Sequence, residues 1–260
     1  GGSFRVWGPP QSVVEGNNEL AVALVITIPL LYFLSLQVEK VVTLPVLRPI
    51  GKTWVRRGIY VTMFLCAVAA IGSHSRGALL SIAAMFSVFW WRSKSKLSIG
   101  LVLLILSPAM VYFMPEEWTS RMETIKTYDQ DESALGRLNA WMMAINIANS
   151  RVLGAGFLTN TPIIYQMYAP NSNFILVAHS IYFQVLGQHG YIGLILYLLF
   201  WGLTYRTAGR LMKYAVDRPD FEWAGQLGSM VKVSLIGFAV GGAFLSLAYW
   251  DMPFYFMAMV

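Results

Sequence analysis

Charge and cysteine are scarce in this sequence, and each shortage excludes a class of protein. Only 12% of the 260 residues are charged, against 57% that are hydrophobic, and a water-soluble domain carries about twice that share of charge. We therefore exclude a soluble globular enzyme. Cys66 is the one cysteine, so no intrachain disulfide and no cysteine-based metal cluster can form. An initiator methionine and a signal peptide are also missing, so we expect the chain to be a fragment of a longer protein.

Apolar residues come in runs long enough to cross a bilayer. Runs of roughly 20 apolar residues predict transmembrane helices. They occur at 19–37, 58–75, 77–91, 97–114, 180–203 and 231–250, and 253–260 opens another that is cut off. The sequence thus predicts an all-α polytopic membrane protein, with four spans in 19–114 and the others in 179–260.

The basic residues between the spans predict the orientation. Segments 38–57, 92–96 and 204–232 hold 13 of the 19 basic residues and four acidic ones, a net +9, whereas six basic and nine acidic residues elsewhere give −3. By the positive-inside rule these three segments are cytoplasmic, and 1–18, the 74–76 turn and the loop 115–178 face outward. Because topology accounts for the net charge, no nucleic-acid partner is expected.

Ser73-His74-Ser75-Arg76 is the first polar cluster at membrane depth. Only 34 residues separate Arg57 from Arg92, which leaves about 17 per span, near the lower limit for a crossing helix. We therefore expect Arg76 in a tight outer hairpin. Its guanidinium either binds a phosphorylated lipid substrate or snorkels to lipid phosphates.

The outward loop contains a predicted amphipathic helix. Ser133 is the predicted cap of a helix that runs to Ile145. Its predicted apolar face consists of Leu135, Leu138, Trp141, Met142 and Ile145. Such a helix lies along the membrane surface or packs on the bundle. Arg137, one turn before Trp141, is either a site residue or a solvated charge.

His179 stands where the loop re-enters the membrane. A histidine there is either a proton acceptor near neutral pH or a hydrogen-bonded interface residue. His189 follows ten residues later, about 15 Å along a straight helix, so the two histidines cannot chelate one metal. Asp129-Gln130-Asp131 has a metal-binding spacing but is interpreted as an acidic solvated linker, and Gly154-Ala155-Gly156 is predicted to be a turn.

Taken in order, these motifs resemble those of the O-antigen ligase and polymerase superfamily. They are Ser75-Arg76-Gly77-Ala78, Gly136-Arg137 with Trp141, Gly154-Ala155-Gly156, and Ala178-His179-Ser180 followed by Gly190 and Gly193. The opening Gly1-Gly2-Ser3-Phe4, with Gly8-Pro9-Pro10, Glu15 and Asn17-Asn18, is similar to the O-glycosylation ligases associated with exosortase A. Such proteins have roughly twice as many spans, which also implies a fragment.

The resemblance implies a C-type glycosyltransferase-like bundle in the bacterial inner membrane, with 1–18 and 115–178 in the periplasm. Its substrate would be a glycan on undecaprenyl pyrophosphate, joined with inversion to a lipid, protein or polysaccharide acceptor. No metal or other cofactor is implied. Arg76 and Arg137 would bind the pyrophosphate and His179 would be the base. The candidate supporting residues are His74, Asn18, Gln184 and His189. Gln188 departs from the glutamate of many relatives, so it cannot supply a carboxylate to the histidine.

Three other functions stay open at this point. A polymerase would use the same donor chemistry and return the growing chain to the donor site. A transporter or flippase of lipid-linked sugars would bind headgroups with Arg76 and Arg137 and relay protons through His179. The sequence shows neither a pair of broken helices nor a charge deep in a span, both of which are typical of transporters. A structural membrane subunit would leave the polar clusters without a role.

Overall fold

The computed structural model describes residues 6–92 and 132–260, and in these ranges the chain is helical, without β-strands. The helices are α1 (Asn17–Leu36), α2 (Val38–Val41), α3 (Lys52–Gly72), α4 (Arg76–Arg92), α5 (Glu132–Ser150), α6 (Pro162–Tyr168), α7 (Ile181–Tyr214), α8 (Glu222–Gly242) and α9 (Asp251–Met259), with a 3₁₀ turn at Pro219–Phe221 before α8. The predicted all-α class is therefore confirmed for the described residues.

Within the described residues, four segments are long and apolar enough to cross a membrane: Asn17–Leu36, Lys52–Gly72, Ile181–Tyr214 and Pro219–Gly242. The shorter α4 is also apolar. The protein is accordingly a multi-pass membrane protein. The predicted span 97–114 and the acidic pair Asp129 and Asp131 lie outside the described residues, as does the opening Gly1-Gly2-Ser3-Phe4.

The chain divides into two compact units. We call the first the loop unit; its described residues lie within Phe86–Tyr197 and Ala243–Ala248. The described residues of the second, the bundle unit, lie within Arg5–Met85, Leu198–Gly242 and Tyr249–Val260.

Close packing of α8 on α1 and α4 forms the core of the bundle unit. The Ser234 hydroxyl donates to the carbonyl of Ile26 at 2.7 Å, and the Ser81 hydroxyl donates to the carbonyl of Gly237 at 2.9 Å. A side chain at Gly237 or Gly241 would collide with Met85, Ser81 or Val22. Small residues let transmembrane helices approach this closely, so the glycines of α8 are part of the interface.

Polar contacts mark the two ends of the bundle unit. At one end, the Gln37 amide donates to Gln226 at 2.8 Å, and the Lys40 ammonium lies 5.6 Å from the ring centroid of Trp223. The start of α1 and the end of α3 meet at the other end. The basic segments 38–57 and 204–232 therefore share one end of this unit, and the hairpin between α3 and α4 lies at the other end. Which end faces the cytoplasm stays a prediction.

The predicted spans and the observed helices have different boundaries. The predicted 58–75 and 180–203 spans belong to longer helices, since α3 begins at Lys52 and α7 continues to Tyr214. The helix predicted at 231–250 is instead α8, Glu222–Gly242, and 243–250 is non-helical. Hydropathy marks the apolar part of a helix, whereas hydrogen bonding continues into its polar ends. The Gly241-Gly242 pair ends α8 inside the apolar run.

The buried face of α5 is also different from the predicted one. Leu135, Leu138 and Met142 are 41%, 43% and 46% exposed. The residues packed inside the loop unit are mostly small: Gly136, Asn139, Ala140, Met143, Ala144, Ile147 and Ala148. A Cβ at Gly136 would lie 2.8 Å from the Phe174 ring, so the close approach of this segment selects small residues. Ser133 lies within α5, Glu132–Ser150.

Candidate functional site

The hairpin that carries Arg76 is held by hydrogen bonds to its backbone. Ser75 precedes α4, and its hydroxyl accepts from the amide of Ala78 at 3.2 Å, which caps the helix. The Asn17 side chain donates to the buried carbonyl of Ser73 at 2.7 Å. His74, between them, has a φ of 56°, a conformation that is uncommon outside glycine. The turn is therefore fixed in place, and Arg76 follows it directly.

Arg76 is a cation at the positive end of a helix. It is the first residue of α4, whose first turn has no acidic residue, and it is half-buried. A positive charge at a helix N-terminus is unfavourable by about 0.3–1 kcal/mol. An anionic group bound there would meet both the guanidinium and the helix N-terminus. The Arg76 guanidinium and the N-terminus of α4 thus lie at the same turn.

In the loop unit, Trp141 of α5 contacts one residue before His179 and one residue after it in the chain. Its indole N–H donates to the carbonyl of Ala178 at 2.7 Å, and its ring stacks on Phe183 with centroids 4.7 Å apart. Arg137 is one turn earlier on α5 and is half-buried, and residues four apart share a helix face. The structure therefore brings the turn of Arg137 next to the His179 segment.

His179 occupies a strained junction between extended chain and helix. Its φ is 44°, and left-handed conformations of non-glycine residues cost about 1–3 kcal/mol and cluster at functional sites. Ser180 follows, 1% exposed, and its carbonyl accepts from the amide of Gln184 at 2.8 Å as α7 begins. Among the described residues, the buried hydroxyls of Ser180 and Ser246 have no hydrogen-bond partner.

Two polar side chains hold the extended chain that leads to His179. Asn139 of α5 donates to the carbonyls of Asn171 and Phe174 at 2.9 and 3.0 Å, and its oxygen accepts from the amide of Asn171 at 2.9 Å. The Tyr165 hydroxyl donates to the carbonyl of Leu176 and accepts from its amide at 3.2 Å. Burial raises the pKa of Tyr165, and the hydrogen bond to Leu176 offsets part of this increase. The approach to His179 is therefore well defined.

The helix that begins after His179 is broken at Gly190. Its φ and ψ are 65° and −167°, a combination open essentially to glycine alone. The break frees two carbonyls, and the loop 154–156 binds both: the amides of Ala155 and Gly156 donate to Gly187 and Gln188, each at 3.0 Å. The predicted Gly154-Ala155-Gly156 turn is confirmed as non-helical, and it docks on this break.

The candidate supporting residues have structural contacts of their own. The Gln184 side-chain oxygen accepts from the amide of Ala248 at 3.4 Å. The His189 ring meets Phe157 edge-on, with centroids 5.0 Å apart, and the Gln188 amide donates to the carbonyl of Phe157 at 3.0 Å. The Gln188 side chain thus holds the 154–157 loop, and it has no carboxylate that could interact with a histidine.

Sequence reasoning missed two residues that hold the segments of Arg76 and His179 in place. Asn17 binds the Arg76 hairpin, and Asn139 holds the chain before His179. Both are buried polar residues in helices, and this burial depends on tertiary contacts that the sequence does not show. Arg137, His179, Gln184 and His189 lie in the loop unit, whereas Asn18, His74 and Arg76 lie in the bundle unit. Within 6–92 and 132–260, no group of three His, Cys, Asp or Glu side chains is arranged to hold a metal ion.

The model of the O-antigen ligase family matches residues 61–198, more than half of the chain. The chain belongs to the O-antigen ligase family. The matched region contains Arg76, Arg137 and His179. Members of this superfamily are membrane glycosyltransferases of the ligase or polymerase type, which act on lipid-linked glycans and acceptors. No curated protein and no solved structure matches the chain.

Proposed function

We propose that this O-antigen ligase family member transfers a glycan from undecaprenyl pyrophosphate to an acceptor hydroxyl at the periplasmic face of the inner membrane. The observation that carries the proposal is the double contact of Trp141 with Ala178 and Phe183. It joins the helix of Arg137, a phosphate-binding cation, to the segment of His179, a potential base. A cation and a base held together are what transfer from a phosphorylated donor needs.

In the proposed reaction, His179 takes the proton of the acceptor hydroxyl as its oxygen attacks the anomeric carbon. The bond from that carbon to the pyrophosphate oxygen breaks, and the electron pair leaves with the carrier pyrophosphate. Attack from the opposite face inverts the anomeric centre. Arg137 stabilises the charge that develops on the leaving pyrophosphate, and Arg76 stays a predicted pyrophosphate ligand. The proposed step thus uses the side chains of this chain and no metal ion.

A transporter of lipid-linked sugars is the second candidate, because α7 is broken at Gly190. Broken helices in transporters expose backbone carbonyls that coordinate ions. Here the freed carbonyls of Gly187 and Gln188 already accept hydrogen bonds from the 154–156 loop. This supports the glycosyltransferase over the transporter. A polymerase would use the same site residues, and the size of the product distinguishes it from a ligase.

The test is a transfer assay on the full-length protein in liposomes that contain a pyrophosphate-linked glycan and an acceptor. We expect carrier release in the presence of EDTA, with a fall of about 100-fold or more in His179→Ala and Arg137→Ala. Arg151→Ala is the matched control, because Arg151 follows the same helix α5 but is exposed and lies 5.7 Å from the Tyr168 ring.

The outcomes separate the candidates. One added glycan per acceptor identifies a ligase, and a ladder of products identifies a polymerase. Full activity of His179→Ala would exclude His179 as the base. Movement of intact donor between the leaflets, without carrier release, would establish the transporter. Activity that disappears in EDTA and returns with a divalent cation would contradict the metal-independent step.

A further inference from the structure

The second half of α7, in the bundle unit, carries a row of exposed cations. Arg206, Arg210 and Lys213 are all exposed. Their spacing of four and three residues places them within an arc of about 60° on the helix surface. This half of α7 therefore presents three positive charges along one line.

A fourth cation reaches this row from α8. The Lys232 ammonium lies 4.1 Å from the ring centroid of Tyr205, which is a cation–π contact. A Cβ at Gly209 would lie 3.4 Å from the same nitrogen. Because Tyr205 and Gly209 each precede one of the arginines, the Lys232 ammonium lies along the edge of the row. We call Arg206, Arg210, Lys213 and Lys232 the basic row.

No acidic side chain neutralises the basic row among the described residues. Within residues 6–92 and 132–260, the ion pair observed joins Lys52 to Glu39 at 3.3 Å, away from the row. Glu222, at the start of α8, instead accepts a hydrogen bond from Gln226 at 2.9 Å. Like charges one turn apart on a helix repel each other. A bound anion would therefore lower the electrostatic energy of the row.

The same face of α7 becomes apolar one turn before the row. Leu199 and Leu203 are 52% and 53% exposed, and their positions fall within about 60° of Arg206 around the helix axis. A phosphate group beside the cations would thus be continuous with a hydrocarbon chain beside the leucines. This order of charge and apolar surface fits a phospholipid better than a free phosphate ion.

We propose that the basic row binds the phosphate of an anionic phospholipid, with its acyl chain against Leu199 and Leu203. Arginine presents a planar donor fork to phosphate oxygens, whereas lysine contributes a point charge. The site lies outside the proposed transfer residues, and the proposal does not depend on the transfer activity.

Native mass spectrometry of the full-length protein in mixed micelles tests the site directly. With equal phosphatidylglycerol and phosphatidylcholine, we expect the wild type to retain phosphatidylglycerol preferentially. Each cation contributes about fivefold at an anionic lipid surface. The triple variant Arg206→Gln, Arg210→Gln and Lys232→Gln should therefore lose about 100-fold in preference.

The matched control removes three cations from the other basic segment, as Arg48→Gln, Lys52→Gln and Arg56→Gln. We expect this control to keep the preference. A second variant, Gly209→Leu, keeps every charge but fills the space beside the Lys232 ammonium, and it should lose about fivefold. This variant also tests the site if the triple variant does not fold.

Three results would overturn the proposal. The first is an equal retention of both lipids by the wild type. The second is a control triple variant that loses as much preference as the basic-row variant. The third is release of the bound lipid by excess inorganic phosphate, which would assign the row to a free phosphate and leave the leucines without a role.

Discussion

Replacing Gly190 with alanine tests the break in α7 and its contact with the 154–156 loop. The φ of 65° is unfavourable for any residue with a Cβ. The added Cβ would also collide with the carbonyl oxygen of Val152 and lie 2.9 Å from the amide nitrogen of Gly154. The substitution must therefore strain the backbone or push the loop away.

The magnitude follows from these two effects. Backbone strain at such a position costs about 1–3 kcal/mol. Displacing the loop removes the hydrogen bonds from the Ala155 and Gly156 amides, each worth about 0.5–1.5 kcal/mol. Together they predict a loss of about 2–6 kcal/mol in unfolding free energy. For a chain of this size, that is a decrease of roughly 5–20 °C in Tm.

The assay is thermal unfolding in detergent, followed by tryptophan fluorescence, with Gly202→Ala as the control. Gly202 lies in the same helix, and a Cβ there would have no atom within 4 Å. We expect its Tm to stay the same or to rise by about 2 °C.

A companion variant tests whether the two sides of the contact act together. A Cβ at Gly154 would lie 2.6 Å from the carbonyl oxygen of Gln188, so Gly154→Ala should be as destabilising as Gly190→Ala. Because both break one contact, the double variant should lose less than the sum of the two. A wild-type Tm in Gly190→Ala, or full additivity of the pair, would refute this account of the break.

Three further predictions concern the frameworks around the candidate site. Asn17→Ala should lower the unfolding free energy by about 1–3 kcal/mol because it leaves the buried Ser73 carbonyl without its donor. Asn18→Ala, the control, should lower it less. Equal thermal stability of the two variants would contradict the hairpin contact. Tyr165→Phe should cost about 1–3 kcal/mol by the same mechanism. Since the pKa of Tyr165 is raised on folding, its contribution should be fully present below pH 10 and decrease as the pH rises further, which a pH series of unfolding midpoints would detect. Trp141→Phe keeps the ring stack but loses the donor to Ala178, so the transfer rate should fall more than Tm does; an unchanged rate would separate Trp141 from the site.

Some of the fold could be predicted from the sequence because the bilayer sets lengths. The long apolar run of α1 predicted a span from hydropathy alone. The hairpin at Arg76 followed from the short distance between Arg57 and Arg92, which leaves no residues for a longer loop. The catalytic and binding roles of Arg76, Arg137 and His179 stay predictions.

Other features could not be predicted because they depend on tertiary contacts. Periodicity selected the large apolar residues of α5 as its buried face, but the segment around Phe174 packs so closely that Gly136 faces it. Hydropathy likewise extended the last long span to 250, although its helix ends at Gly242. The choice between Asn17 and Asn18 depends on which side of α1 faces the hairpin, and no local pattern distinguishes two adjacent asparagines.

The non-helical segment 243–250 has a consequence for the order in which the protein assembles. Irregular backbone in an apolar environment is stable only when protein groups satisfy its amides and carbonyls. The backbone amide and carbonyl of Ala248 both form hydrogen bonds with side chains of α7. The Gln184 side chain accepts from the amide, and the Tyr197 hydroxyl donates to the carbonyl at 3.3 Å. Ribosomal synthesis delivers α7 first, so these partners are already present when 243–250 emerges. A permuted gene that encodes this segment before α7 should therefore insert it as part of a longer helix.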